Sequence, residues 1–200
     1  MAEDRGPFVS RAGLKLAHAL DAFEVAVDGL RCADFGCNVG GFTDCMLQRG
    51  ARHVVAVDTG YGALAWKLRS DPRVETRERS NALHAEAPTG GVDLVTVDLA
   101  WTPQRLAVPA ALRWLAPGGR IITLVKPHYE LRDGEKQWLE GGFLPHDRVP
   151  TVVDRVRADM PTLGARVLAD VASPLTGGKT ARRKGVPGNM EWLMLLERHD

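Results

Sequence analysis

The stretch Cys32-Ala33-Asp34-Phe35-Gly36-Cys37-Asn38-Val39-Gly40-Gly41 decides how this chain folds. Residues 32–35 form a short apolar run suited to a buried strand, and the glycines let the backbone turn tightly into a helix over 43–49. A strand that feeds a helix through a glycine-rich turn is the opening unit of a doubly wound α/β sheet. The alternation continues outward from it. Strands are predicted at 53–58, 74–77, 92–98, 120–126, 165–171 and 190–196, with helices at 62–69, 104–115 and 149–160 and a turn at 117–119. Upstream, residues 9–20 pattern as an amphipathic helix with Ser10 as its N-cap. Strands alternating with helices imply a mostly parallel, Rossmann-like sheet in one domain spanning 1–200, preceded by a short extension at 1–8.

With 200 residues and 44% hydrophobic content, one domain with a sizeable core is expected. No apolar run approaches the roughly 20 residues that span a bilayer. The start Met1-Ala2-Glu3-Asp4-Arg5 lacks the basic-then-apolar order of a signal peptide, so a cytoplasmic location and no membrane partner are expected. Cys32, Cys37 and Cys45 are odd in number and form no paired metal-ligand cluster, which predicts reduced structural thiols and no metal. Whether Cys37, inside the turn, confers sensitivity to oxidation stays open. A formal charge of +1 excludes a polycation. Any grip on nucleic acid must be local, and Lys179, Arg182, Arg183 and Lys184 in the loop 176–185 are the candidates, with Arg11, Arg5 and Arg132 as companions.

In doubly wound sheets, ligands sit beyond the carboxyl ends of the strands. Gly36, Gly40 and Gly41 are expected to let backbone pass close to such a ligand, and Asp34 to meet its amino-acid part directly or through water. Asp58, ending the second strand, can accept both hydroxyls of a ribose. Asn81 suits either an adenine edge or a helix cap. Asn38 stands where the dinucleotide fingerprint Gly-x-Gly-x-x-Gly has its middle glycine, which favours S-adenosylmethionine (SAM) over a nicotinamide cofactor. Asp98 and Lys126 end two further strands facing the same crevice, where an unpaired lysine is costly. Trp101 and Tyr61 suit base stacking or packing of the pocket wall, and His128 and Tyr129 follow the Lys126 strand without an assigned role.

Several separated motifs together carry a resemblance. Residues 10–16 (Ser-Arg-Ala-Gly-Leu-Lys-Leu), Gly40-Gly41-Phe42-Thr43, Val57-Asp58 with Gly60-Tyr61-Gly62, the Leu68–Val74 stretch, the Asp98 segment, Val125-Lys126-Pro127 and Gly188-Asn189-Met190-Glu191 resemble the FtsJ-type ribose 2'-O-methyltransferases, and most nearly their TlyA-like branch. The resemblance runs from Phe8 to Leu196. It implies a SAM-dependent fold of seven strands whose last is antiparallel, with Phe42 and Asp98 added to the cofactor contacts. It also implies a catalytic tetrad of Lys15, Asp98, Lys126 and Glu191 acting on the ribose of RNA, ribosomal RNA above all.

The chemistry suits those residue types. A ribose 2'-hydroxyl is a poor nucleophile until its proton leaves, and a lysine whose pKa is lowered by burial and a neighbouring ammonium can take it. In this reading Lys126 is the base, Lys15 its neighbour and orienter, Asp98 balances and orients Lys126, and Glu191 holds Lys15 or the ribose. TlyA-like proteins carry an N-terminal S4 RNA-binding domain, whereas nine residues precede Ser10 here, so that module is expected to be absent and an accessory RNA-binding protein becomes a possible partner. The family has also carried a haemolysin label, for which the sequence offers no spanning segment, strand array or secretion signal. Two competing readings are a small hydroxylated acceptor and a non-catalytic SAM- or ribosome-binding protein.

Overall fold

Val54, Val55, Ala56 and Val57 have no solvent exposure at all, as expected of a strand covered on both faces. A computed structural model describes residues 6–177 and 188–199 and arranges them around one such sheet. Its strands are β1 (Arg31–Phe35), β2 (His53–Val57), β3 (Val74–Arg77), β4 (Val92–Val97), β5 (Leu115–Val125), β6 (Ala165–Ala172) and β7 (Trp192–Arg198). The helices are α1 (Ala12–Ala22), α2 (Gly41–Gln48), α3 (Trp66–Arg69), α4 (Gln104–Leu112) and α5 (Val149–Asp159). Among the described residues the spatial order is β3-β2-β1-β4-β5-β7-β6. β1 pairs in parallel with both β2 and β4, so the winding reverses beside it. β7 runs antiparallel between β5 and β6.

Each face of the sheet carries its own core. Along β5, Ile121 and Val125 join Phe35, Trp114 and α4 and α5 side chains on one face. Ile122 and Leu124 alternate onto the other, against Leu16, Leu20, Cys45 and Met46 of α1 and α2. Phe35 meets Trp114 edge to face, with centroids 4.9 Å apart and planes at 86°. The indole Nε1–H of Trp114 donates to the carbonyl of Ala85 at 3.2 Å, which satisfies its polar atom.

Several boundaries differ from the sequence reading: α2 runs from Gly41 to Gln48, α4 ends at Leu112, and four others bear on the site. Helix α1 begins at Ala12 with Arg11 as N-cap and no side-chain cap, and the Ser10 backbone carbonyl instead accepts from Gly13 N–H at 3.1 Å. Helix α3 is a single turn because Gly62 sits at φ +70° and Ala65 N–H bonds to the Val39 carbonyl, holding residues 62–65 out of helical form. Strand β5 runs through residues 117–119, where its register against β4 shifts between Val92 and Leu94, so the expected turn is an irregularity within the strand. β7 starts at Trp192, leaving Glu191 just ahead of it.

Trp114→Ala removes the largest fully buried side chain. It is expected to lower unfolding free energy by about 3–5 kcal/mol in a urea titration.

Candidate active site

The register brings the functional groups to one edge. Phe35 pairs with Val57 and Val97, and Val97 with Thr123, so Asp58, Asp98 and Lys126 leave β2, β4 and β5 at the same carboxyl end. Because β7 is antiparallel, its first residue Trp192 lies opposite Val125, and Glu191 enters the same edge beside Lys126. Lys15 arrives from the buried face of α1, flanked by Leu16 and Ala19.

Two ion pairs result. Lys15 Nζ pairs with Glu191 Oε2, at 7% and 4% residue exposure. Lys126 Nζ pairs with Asp98 Oδ1 at 2.6 Å and also donates to the Leu99 carbonyl at 3.0 Å. Buried ammonium groups of this kind persist only when a carboxylate and further acceptors replace the lost water. Burial holds the Glu191 carboxyl above its ordinary range, the adjacent Lys15 opposing and Asp98 reinforcing that shift. All four residues line one cleft of about 280 Å³, which Arg11, Asp34, Gly36, Asn38, Gly41 and Phe42 also line. Among the described residues, Lys15 hydrogen-bonds Glu191, and the Lys126 ammonium meets Asp98 and the Leu99 carbonyl.

The turn glycines also make room for the protein's own atoms, while Gly36 and Gly41 line the cleft. A Cβ on Gly36, at φ +85°, would stand 2.6 Å from the Asp98 carbonyl. On Gly40 it would meet Leu68 Cδ1 at 2.3 Å, and on Gly41 Ser10 Oγ at 2.3 Å. These glycines make room for the protein's own chain, packing the turn against the Asp98 strand end, α3 and the start of α1. Phe42 is buried in the α1–α2 core, with its edge on the cleft.

Asp34 is fully buried. Its Oδ2 accepts from Thr43 N–H at 2.9 Å and Thr43 Oγ1 at 2.7 Å, and its Oδ1 from Thr96 Oγ1 at 3.2 Å. Burial pushes this carboxyl up to about 7 against those hydrogen bonds. Asp58 joins two turns, Oδ2 accepting from Asn38 N–H at 2.9 Å and Oδ1 from Gly60 N–H at 2.7 Å. Asn81 caps a turn: its Oδ1 accepts from Leu83 N–H at 2.9 Å.

At the cleft mouth, Trp101 is 81% exposed, at φ +53°, with its ring 6.4 Å from that of Tyr129. Tyr61 is 71% exposed beneath the Arg79 guanidinium at 4.2 Å. Neither aromatic is packed into a wall. His128 Nδ1 is buried without a hydrogen-bond partner among the described residues, and burial plus nearby Lys126 lowers the imidazole to about 4. Arg132 is paired with Asp159 at 2.6 Å. Lys179, Arg182, Arg183, Lys184 and Arg5 lie outside the described residues. Sequence reasoning passed over Leu99, Thr43, Thr96 and Gly177, the last of which would crowd Glu191 Oε1 at 2.4 Å if it carried a Cβ. Backbone acceptors and small neighbours leave no local signature.

An FtsJ-like methyltransferase family model matches residues 8–142. The chain belongs to that family. The 16S/23S rRNA (cytidine-2'-O)-methyltransferase TlyA of Mycobacterium tuberculosis is 41% identical over 191 residues, covering 94% of this chain and 68% of the relative. A solved Streptococcus thermophilus protein assigned as a hemolysin superposes with a TM-score of 0.88 at 35% identity, covering 99% of this chain and 70% of that one. A Mesorhizobium loti S-adenosylmethionine dependent methyltransferase shares the fold at a TM-score of 0.60 and 19% identity, over 90% of this chain and 96% of that one. Among the described residues of this methyltransferase, no helix is long and apolar enough to cross a membrane, and no His, Cys, Asp or Glu cluster could hold a metal ion.

All three cysteines are buried and free; burial lifts the Cys32 and Cys45 thiols to about 12 and Cys37 further still. Thiols rather than thiolates at working pH are poor nucleophiles. Iodoacetamide at pH 8 is therefore expected to leave the native protein unlabelled and to alkylate all three after denaturation, as read by intact mass. For Asp34, the folded carboxyl lies above its ordinary value of 3.8, so folding takes up a proton between pH 4 and 7. The stability difference between wild type and Asp34→Asn is expected to move against wild type as pH rises through that window, measured by denaturant unfolding at each pH.

Proposed function

We propose that this methyltransferase modifies a ribose 2'-hydroxyl of ribosomal RNA, using SAM as donor and Lys126 as general base. The observation that carries the reading is the Lys126 ammonium at the cleft, engaged by Asp98 and the Leu99 carbonyl beside the Lys15–Glu191 pair. An amine so placed, at the carboxyl end of a parallel strand, is rigid enough to remove a hydroxyl proton at the moment of attack. Asp98 orients it, and Lys15 with Glu191 balances charge and shapes the ribose site. Lys126 first gives its ammonium proton to solvent, the neutral amine then takes the alcohol proton, and Asp98 stabilises the ammonium that re-forms.

The donor set fits SAM. Asp34 and Asp98, both on the cleft, suit its amino group, and Asp34 Oδ1, which accepts from Thr96 Oγ1, has a second lone pair to offer. Asp58, with Asn38 beside it, suits the ribose hydroxyls. When bound, SAM supplies an electrophilic methyl group. The RNA assignment draws on the name of the mycobacterial relative and on the local basic residues Arg11, Lys179, Arg182, Arg183 and Lys184. A second reading, a small hydroxylated acceptor, is favoured by the net charge of only +1.

Tritiated methyl transfer from SAM into ribosomal subunits, naked ribosomal RNA and a small-molecule extract separates them. Alkali-resistant 2'-O-methyl label in RNA is expected, reduced about 10²–10⁴-fold by Lys126→Ala. Label confined to the extract would overturn the RNA assignment, and undiminished label with Lys126→Ala would overturn the base.

A further inference from the structure

The site has a lid of backbone over one of its carboxylates. Glu191 Oε2 faces Lys15, while Oε1 faces Gly177, whose Cα hydrogen position has no room for a methyl: a Cβ there would lie 2.4 Å from Oε1. Gly177 is held in turn by one residue. Its N–H donates to the Asn189 carbonyl at 2.8 Å, in an isolated antiparallel bridge. Gly188 packs so tightly beneath that an added Cβ would stand 2.4 Å from the Gly177 carbonyl oxygen and 2.6 Å from Thr176 Oγ1.

Asn189 is anchored at its other end. Its Oδ1 accepts from Leu144 N–H at 2.8 Å, and its Nδ2–H donates to the Gly142 carbonyl at 2.9 Å. Leu144 is 1% exposed and belongs to the α4–α5 core. Asn189 therefore connects the core, through its side-chain amide, to the strip of backbone lying on Glu191, which its main-chain carbonyl holds. The planar amide offers a donor and an acceptor on one terminus, so it can clamp both backbone groups of a turn at once. Alanine can do neither.

We infer that Asn189 is a positioning residue: it fastens Gly177 over Glu191 and so fixes the Lys15–Glu191 pair for the reaction. Burial holds the Glu191 carboxyl above its ordinary range, and Gly177 is among the groups that cover it. The step from geometry to turnover rests on the function proposed above, so the test has one arm that does not.

In the first arm, the Glu191 carboxyl is followed by ¹³C NMR across a pH titration, with Glu191→Gln assigning the resonance. Asn189→Ala is expected to move the midpoint down toward the ordinary value of 4.5, because the carboxylate regains water. Thermal unfolding alongside confirms that the variant is folded. In the second arm, methyl transfer to RNA is expected to lose about 10²-fold in kcat with KM for SAM unchanged. Gly177→Ala, whose Cβ displaces the same carboxylate, is expected to cause a comparable loss, and the double variant no more than either alone. An unmoved Glu191 midpoint in folded Asn189→Ala overturns the clamp. A moved midpoint with unchanged kcat, or losses that multiply in the double variant, overturns its role in positioning. Inactivity of the wild type on RNA sinks the proposed function, and the titration then decides the clamp alone.

Discussion

Two lysines, one buried and one largely so, are carried to a cleft at the carboxyl end of the parallel strands, and the surrounding structure is arranged so that each ammonium meets a carboxylate. Without Glu191, Lys15 would be an uncompensated buried charge on the core face of α1; without Asp98, Lys126 would keep one backbone carbonyl in place of water. Removing one partner of such a pair is far more damaging than the pair is stabilising. The four residues thus constrain one another, and the elements bearing them, more tightly than apolar packing alone would.

The sheet supplies the geometry those charges need. Parallel pairing of β1, β2, β4 and β5 puts their carboxyl ends on one edge, where Asp58, Asp98 and Lys126 follow directly. The antiparallel insertion of β7 delivers Glu191 to that edge from the start of a strand rather than the end of one. Had β7 run parallel, Glu191 would lie at the opposite rim. The orientation of the final strand is therefore as much a part of the site as any side chain in it.

The glycine turn shows that one set of missing side chains also serves packing within the protein. Gly36 and Gly40 adopt left-handed φ values that disfavour other residues. Their missing Cβ atoms, however, accommodate the Asp98 carbonyl and the Leu64 and Leu68 side chains, and Gly41 accommodates Ser10. Close approach of the turn to β4, α1 and α3 seats the cleft walls. Asp34, on the cleft, is also bonded to Thr43 and Thr96, tying β1 to α2 and β4.

Much was legible in the chain itself. Alternation of apolar runs and helical periods gave the seven strands and five helices in order, because hydrophobic periodicity is local and read within ten residues. The polar residues ending those runs, Asp58, Asp98 and Lys126, were visible for the same reason. Boundaries set by distant contacts were not: Ser10 was displaced from its capping role as Gly41 packed against it, and α3 shortened as Ala65 bonded Val39. Nor did any local pattern assign partners; the pairing of Asp98 with Lys126 and of Glu191 with Lys15 was implied only by the family resemblance. Lys15 and Glu191 are 176 positions apart, and Lys126 and Leu99 are 27 apart, distances over which no local period carries information. The sequence by itself determined which groups stand at the strand ends. Only the tertiary structure decided which of them touch, because strand order, strand direction and the glycine gaps between packed elements are properties of the assembled sheet.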